Sequence, residues 1–388
     1  MRILMIVPQA FYTTRGTPLS AYHRTRELLR YGHEVDILTY PVGGEPPELD
    51  VRLYRSVGPH FASEIKAGPS KIKIWFDCLL FGNLIYRLLR RRYDLLYTHE
   101  EAAFLARLLK PVFRIPYVYD MHSSLPLQIT DWKFSDSRRV VQLFEWIERQ
   151  CVAHAAATVA ISPSVEEAAL QASPEAKTVV IVNHFETSTT ASRRDGESIR
   201  ERYGIAASAR VVLYTGSFVA LQKLDMLIES IPAVVETCPD AKFLIVGGKP
   251  EEIGELEGLA EALGVTSHVI LVESRPQEEM PAFMQACDVL VSPRIQGINP
   301  PGKLFAYLES LKPVVATDCL VHNQLISDEC AILTKPDSTS FAKGIIRALT
   351  DDEHNEAIAA GARQFLAEYC SPAARRKSYE RLLSYLET

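Results

Sequence analysis

Short apolar runs rich in β-branched residues recur along the first half of the chain, at residues 3–7, 34–39, 95–98, 117–119, 158–161 and 178–182. Most are followed by a stretch with helical spacing, and strands that alternate with helices predict a parallel sheet covered on both faces. The series then restarts at residues 211–214, 242–246, 269–272, 289–292, 313–317 and 330–333. Two doubly wound α/β domains in tandem are the simplest architecture. Between the two series, over residues 184–203, Thr, Ser, Arg, Asp and Gly dominate and the apolar period lapses, as in a linker that runs on into a helix. This sets a first domain at 1–190 and a second at 191–370, with a C-terminal helix over 371–388. The tail from Ser338 reads as helical, Pro372 interrupting it before a last amphipathic helix over 373–386.

The composition agrees. With 388 residues, 47% hydrophobic and 23% charged, the chain can fill two cores, and neither disorder nor a coiled coil fits. A net charge of −6 argues against a nucleic-acid partner, which needs a cationic surface. That charge is uneven, +2 over residues 1–190 and −8 over 191–388. No apolar run approaches the roughly 20 residues of a spanning helix, and the first residues lead into a strand rather than a secretory signal. The seven cysteines, Cys78, Cys151, Cys238, Cys287, Cys319, Cys330 and Cys370, are scattered without a C-x-x-C pair. Cys151 with His154 and Cys319 with His322 each lack the second pair that a zinc tetrahedron needs. All seven read as buried thiols of a reducing compartment, which makes the cytoplasm the expected location.

Open parallel sheets bind ligands beyond the carboxyl ends of their strands, which directs attention to five segments. Residues 8–18 end in Arg15-Gly16-Thr17-Pro18, where Thr17 is suited to cap and Pro18 to begin a helix whose N-terminus can face an anion. Asp120, Met121, His122, Ser123 and Ser124 follow a strand, and an Asp and a His two apart suit a base or a ligand of sugar hydroxyls. Gly216 and Ser217, and then Gly247, Gly248 and Lys249, close the first two strands of the second series, where glycine permits close backbone approach or a sharp turn. No G-x-G-x-x-G with its acidic partner and no P-loop occurs, which disfavours dinucleotide dehydrogenases and P-loop enzymes. The richest segment runs from Arg294 to Lys303 through Asn299. It is set by Pro and Gly ahead of a helix, and a lysine in a first helical turn is unfavourable unless an anion is near. A diphosphate would satisfy both Arg294 and Lys303.

These residues, in this order, resemble the family 4 glycosyltransferases of the GT-B fold over nearly the whole chain. The resemblance rests on residues 1–8 with Arg15-Gly16-Thr17-Pro18, on Arg30-Tyr31-Gly32-His33-Glu34-Val35 and on Asp120-Met121-His122-Ser123-Ser124. It rests also on Lys303-Leu304-Phe305-Ala306-Tyr307-Leu308 leading to Pro313-Val314-Val315-Ala316-Thr317. It implies two Rossmann-like domains facing across a cleft, the second holding a nucleotide diphosphate sugar and the first taking the acceptor, with the last helix crossing back to the first domain. It further implies transfer with retention, no cofactor and no metal. The chain has no D-x-D loop at a strand end, and Asp351-Asp352-Glu353 reads as a helix start.

Four positions depart from the family pattern. The two glutamates spaced eight apart before the Pro-Val-Val segment fall at Ile298 and Ala306, and the Arg and Lys of the diphosphate clamp fall at Ser217 and Gln222. In an active, divergent branch, Lys303 and Arg294 then supply the charge for the phosphates. Asn299 or Glu309 replaces the ribose contacts, and Gly216, Ser217, Gln222, Gly248 and Lys249 complete the donor side. His122 with Asp120 meets the transferred sugar, while Arg15, Gly16, Thr17 and His322 serve an acceptor or phosphate loop. Phosphate oxygens near the breaking bond accept the acceptor's proton. The alternatives are a GT-B protein that binds a sugar nucleotide or glycan without turnover, and a nucleotide-sugar epimerase; the cationic, polar loop from Arg294 to Lys303 favours the transferase. Expected acceptors are a glycan, a lipid-linked sugar or a small molecule.

Two further stretches carry weaker signals. Residues 66–93 combine Lys71, Lys73, Arg87, Arg90, Arg91 and Arg92 with Trp75 and many apolar residues. This suits either a core helix with a solvated end or a peripheral contact with the inner membrane face through residues 71–92. Trp132, Phe134, Phe144, Trp146 and Ile147 read as core rather than as an acceptor platform.

Overall fold

The computed structural model describes residues 1–11, 16–46, 49–58, 71–126, 137–183, 191–296 and 300–386. Arg15, Asn299, Ile298, Trp132 and Phe134 lie outside the described residues, as do residues 66–70. The chain divides into two compact units, Met1–Phe185 with Pro372–Thr388, and Glu186–Ser371.

Unit 1 runs β1 (Arg2–Val7), α1 (Gly16–Arg30), β2 (Glu34–Thr39), β3 (Arg52–Arg55), α2 (Lys71–Arg90), β4 (Leu95–His99), α3 (Ala102–Phe113), β5 (Tyr117–Met121), α4 (Arg138–His154), β6 (Ala157–Ala160), α5 (Pro163–Ala172) and β7 (Thr178–Val180). Its seven strands lie parallel in the order β3-β2-β1-β4-β5-β6-β7. Because side chains alternate across a strand, Leu4 and Ile6 of β1 face one side with Phe76, Leu80 and Leu84 of α2 and Ala103 and Ala106 of α3. Ile3, Met5 and Val7 face the other with Ala21 and Leu28 of α1. β3 was not legible as an apolar run. Arg-Leu-Tyr-Arg forms the sheet edge, where charged residues are tolerated because one side of the strand has no neighbour.

Unit 2 runs α6 (Arg193–Arg202), β8 (Arg210–Thr215), α7 (Leu224–Thr237), β9 (Ala241–Gly248), α8 (Pro250–Ala262), β10 (Val269–Glu273), α9 (Met280–Ala286), β11 (Val289–Ser292), α10 (Lys303–Glu309), β12 (Val314–Thr317), α11 (Leu320–Asn323), β13 (Ile332–Thr334), α12 (Ser338–Thr350) and α13 (Asp352–Phe365). Its sheet is also parallel, ordered β10-β9-β8-β11-β12-β13. Asp351 caps α13 by accepting from the His354 backbone N–H at 3.0 Å. A last helix, α14 (Pro372–Leu386), packs on unit 1, where Tyr379 and Leu382 join the core beside α1. In both sheets the strand order reverses once, between β1 and β4 and between β8 and β11, and such switch points are where doubly wound sheets open a crevice.

Several local expectations change. The helix of α1 begins at Gly16, so Thr17 lies in its first turn and does not cap it. Pro372 opens α14, a position where its missing N–H costs nothing, rather than only interrupting a helix. Five cysteines are buried, but Cys78 is exposed and Cys319 half-buried, and none of the seven is in a disulfide. Trp146 is exposed, not core, because it sits on the outer side of α4.

Glycine is required where β8 and β9 end side by side. Gly247 has φ +127°, and a Cβ there would come within 2.1 Å of the Gly216 carbonyl oxygen. Gly247→Ala should therefore destabilise unit 2 by roughly 1–3 kcal/mol or more. Gly254→Ala, on an open face of α8, should instead add about 0.5–1 kcal/mol. Urea unfolding of the two variants beside the parent checks both signs.

Candidate functional site

Each unit gathers polar side chains at or one strand from its switch point. In unit 1 the centre is Asp120, at the carboxyl end of β5 and fully buried. An ionised carboxylate there needs partners, and α1 and β4 supply them. Arg24 Nε donates to Asp120 Oδ2 at 3.1 Å and the Tyr97 hydroxyl donates to the same oxygen at 2.9 Å. His122 Nε2 lies 3.3 Å from Asp120 Oδ1, and His99 Nδ1 lies 3.7 Å from Oδ2. Burial by itself would raise the Asp120 carboxyl, but Arg24 and the two histidines outweigh it and hold the group well below the usual carboxylate range. Arg24 in turn donates to the Ile181 carbonyl at 2.5 Å and to Asn183 Oδ1 at 3.3 Å, and bonds the Tyr379 hydroxyl of α14.

The His122 ring is sandwiched, with Nε2 3.2 Å from His99 Nδ1 and Nδ1 3.4 Å from the Thr17 hydroxyl in the first turn of α1. Burial lowers His99 to about 3, so its ring is neutral, and its Nε2 has no partner among the described residues. Glu100, next along the chain, is buried with φ 51°, a backbone state that β-carbon-bearing residues hold only under constraint. Burial raises its carboxyl to about 7. The ligand atoms of His99, Asp120 and His122 lie within 4.8 Å of one another, close enough for one divalent ion to touch all three. A cation there would meet the Arg24 guanidinium already on Asp120, so the set is better suited to internal pairing.

In unit 2 the corresponding group is Lys303, the first residue of α10. Its ammonium donates to the Thr215 carbonyl at the end of β8 at 3.1 Å, stands 3.7 Å from the Tyr214 ring centroid, and lies 3.6 Å from where a Cβ on Gly216 would be. The Tyr307 hydroxyl accepts from the Thr215 backbone N–H at 2.9 Å and so fixes α10 on β8. No carboxylate pairs with Lys303 among the described residues. Burial, then Arg294, push its ammonium well below the usual lysine range. Arg294 itself donates from Nε to the Gln296 carbonyl at 2.6 Å, while its own carbonyl accepts from the Thr317 hydroxyl.

His322 is buried and spent on structure. Nδ1 donates to the Thr317 carbonyl at 2.8 Å, which leaves Nε2 to accept from the Ser292 hydroxyl at 2.9 Å, stapling the ends of β11 and β12. Burial first, then the cations Lys303 and Arg294, lower it to about 4. Cys319 Sγ lies 3.6 Å from the same Nδ1.

Of the residues read from the sequence, the fold brings Thr17, Asp120 and His122 together in unit 1, with Gly16 opening the same helix, and Gly216, Arg294, Lys303 and His322 in unit 2. Ser217 is exposed and engages Tyr214 only through its carbonyl, at 2.9 Å. Gln222 has a buried Oε1 without a partner among the described residues. Gly248 lies under Phe218, and Lys249 is exposed where α8 begins. Glu309 is exposed at the far end of α10, about 9 Å along the axis from Lys303. Sequence reading missed Arg24, Tyr97, His99, Glu100 and Tyr379. His99 and Glu100 were findable, because they end β4 by the same carboxyl-end rule; Arg24 and Tyr379 carry no such signal.

Residues 16–184 match the family described as Glycosyl transferase 4-like domain, and residues 209–351 the family described as Glycosyl transferases group 1. Among curated proteins, the D-inositol 3-phosphate glycosyltransferase of Corynebacterium urealyticum is 28% identical over 88% of this chain and 84% of its own. The phosphatidyl-myo-inositol mannosyltransferase of Mycolicibacterium smegmatis is 24% identical over 95% and 90%. Among solved structures, Anabaena HepE in complex with UDP superposes with a TM-score of 0.74 at 19% identity, covering 99% of this chain and 100% of that one.

Two outcomes follow from the charges. Arg24→Gln strands the Asp120 carboxylate and should cost roughly 3–5 kcal/mol in urea unfolding, partly recovered by adding Asp120→Asn. His99 and His322 stay neutral in the folded chain to about 3 and about 4, whereas an unfolded histidine takes a proton near 6.5. The stability they confer is therefore complete above pH 6.5 and declines as pH falls toward 4, by up to about 3 kcal/mol for His322. Urea melts at neutral and mildly acid pH should show that decline, and His322→Asn should flatten it for unit 2.

Proposed function

We propose that this chain, which belongs to the group 1 glycosyltransferases of family 4 type and has the GT-B fold, transfers a sugar with retention of configuration and without a metal. The donor is a nucleoside diphosphate sugar held by unit 2, and the acceptor is a hydroxyl-bearing glycan, lipid-linked sugar or small polyol taken by unit 1. The observation that carries the reading is Lys303, an ammonium beside the Gly216 turn with no carboxylate to pair it among the described residues. A diphosphate at that turn supplies the missing anion and favours the lysine's charged form. The two inositol-directed relatives support a polyhydroxylated acceptor, and the UDP complex of HepE supports a nucleotide-linked donor.

In the transfer, the acceptor oxygen bonds to the anomeric carbon as the bond from that carbon to the phosphate oxygen breaks. The acceptor's proton passes to a phosphate oxygen. Lys303 and Arg294 stabilise the charge that grows on the departing diphosphate, while Asp120 fixes the ring of His122 for a sugar hydroxyl. Seven cysteines with no disulfide among them support work in a reducing compartment, the cytoplasm. A binder without turnover is the second reading, favoured by Ser217 and Gln222 at the clamp positions, since neither carries a cation.

A thermal-shift series with nucleoside diphosphates and their sugars tests the donor site. A ligand at about a hundred times its Kd adds about 2.7 kcal/mol, or on the order of 5–10 °C for a domain of this size. One base series should produce that shift and Lys303→Ala should abolish it. No shift with any nucleotide at millimolar concentration rejects the donor site, and a shift without sugar transfer to any polyol or lipid-linked acceptor selects the binder.

A further inference from the structure

We propose that the outer surface of α2, α3 and α4 docks unit 1 onto an anionic lipid bilayer. A helix covering a sheet normally buries one apolar stripe and turns a polar face outward. α2 has two apolar stripes. Phe76, Leu80, Leu84 and Leu88 are buried in the core, while Ile72, Trp75, Cys78, Gly82, Tyr86 and Leu89 recur at three- and four-residue steps and are all exposed. Between Lys73 and Arg87 the only charged side chain is Asp77, and it is turned inward to accept from the buried Tyr40 hydroxyl. The outward face of this helix is therefore without charge for three turns.

The neighbouring helices continue the surface. α3 and α4 cover the same side of the sheet as α2, since all three contribute to one core cluster. α3 exposes Leu108 and Val112, the latter 73%, and α4 exposes Leu143 and Trp146, the latter 54%. Most of the exposed large apolar side chains among the described residues lie on these three helices. Scattered apolar residues need no explanation, but a run of them across adjacent helices marks an interaction surface.

The charges around it identify the partner. Arg90 at the end of α2, Arg92 beyond it, Arg114 beyond α3, and Arg138, Arg139 and Arg149 on α4 are exposed, against two exposed acids, Asp94 beyond α2 and Glu145 on α4. Apolar and aromatic side chains bordered by arginines match the layered chemistry of a bilayer surface, where tryptophan and tyrosine settle at the headgroups and arginine meets lipid phosphate. None of the described helices is long and apolar enough to cross a membrane, so the contact is one that lies on the surface. This inference does not depend on which sugar is moved or whether one is.

Flotation of the full chain with phosphatidylcholine vesicles, with and without phosphatidylglycerol, at low and high salt, tests it without nucleotide. The chain should float with anionic vesicles at low salt and much less with neutral ones or at high salt. Trp75→Ser with Leu89→Ser, and separately Arg90→Glu with Arg92→Glu, should each lower the partition roughly tenfold or more. All four side chains are exposed, and unchanged urea transitions of both units establish that the variants are folded. Failure of the parent chain to float with anionic vesicles overturns the proposal, as does undiminished flotation of both folded variants. Self-association in ultracentrifugation that the Trp75/Leu89 variant loses, with no vesicle binding, would assign the face to a second copy and overturn it as well. Nucleotide-induced stabilisation measured on the same preparations keeps a failure here separate from a failure of the donor site.

Discussion

A carboxylate with no exposed surface is the constraint around which unit 1 is arranged. Removing Asp120 from water carries a penalty of several kcal/mol that only close, well-directed partners offset. Those partners come from elements far apart in sequence: Arg24 from α1, Tyr97 and His99 from the β4 strand, and His122 from the loop after β5. The guanidinium that neutralises Asp120 also bonds the Ile181 carbonyl after β7 and the Tyr379 hydroxyl of the last helix. One buried ion pair thus ties the first helix, the middle of the sheet and the C-terminal helix together, and the ring of His122 inherits its position from that arrangement.

The fold was legible because a parallel sheet buried on both faces has few ways to be written. Its strands must be short and nearly continuously apolar, and the runs at 34–39 and 289–292 coincide with β2 and β11 at both ends. The exception, β3, is instructive: as an edge strand it is free of the burial that makes the others readable. The carboxyl-end rule likewise located Asp120, His122, Gly216 and Lys303, because connectivity alone decides which end of a strand meets the switch point. What the rule does not reach is a partner arriving from the middle of a helix. Nothing in the spacing around Arg24 separates a fully buried arginine from the half-buried Arg26 and exposed Arg30 on the same helix, and Tyr379 lies on a helix that belongs to unit 1 only because the chain returns there. His322 shows the opposite failure, since its place after β12 suggested a ligand contact whereas both ring nitrogens are occupied by strand ends.

The amphipathic reading of residues 71–92 was limited for a similar reason. Periodicity reports that a helix has apolar stripes, and α2 has two of them; only burial distinguishes the stripe that meets the sheet from the one that meets something else. The same holds for Trp146, whose aromatic neighbours on α4 suggested core while its own position on the helix turns it outward. Composition cannot separate these cases, because the side chains are of the same kind.

The two polar clusters differ in how their charges are settled, and the difference is what supports the proposed donor site at Lys303. At Asp120 a cation and an anion of the protein neutralise each other, which fits the proposed contact with a neutral sugar hydroxyl. At Lys303 the protein offers a carbonyl and an aromatic face, groups that attract an ammonium but cannot neutralise it, and adds a second cation in Arg294. Such an arrangement by itself costs stability, because burial and Arg294 work against the charged lysine. It becomes favourable only when an anion enters, which is the condition a site must meet if the binding energy of a diphosphate is to increase as negative charge develops on it.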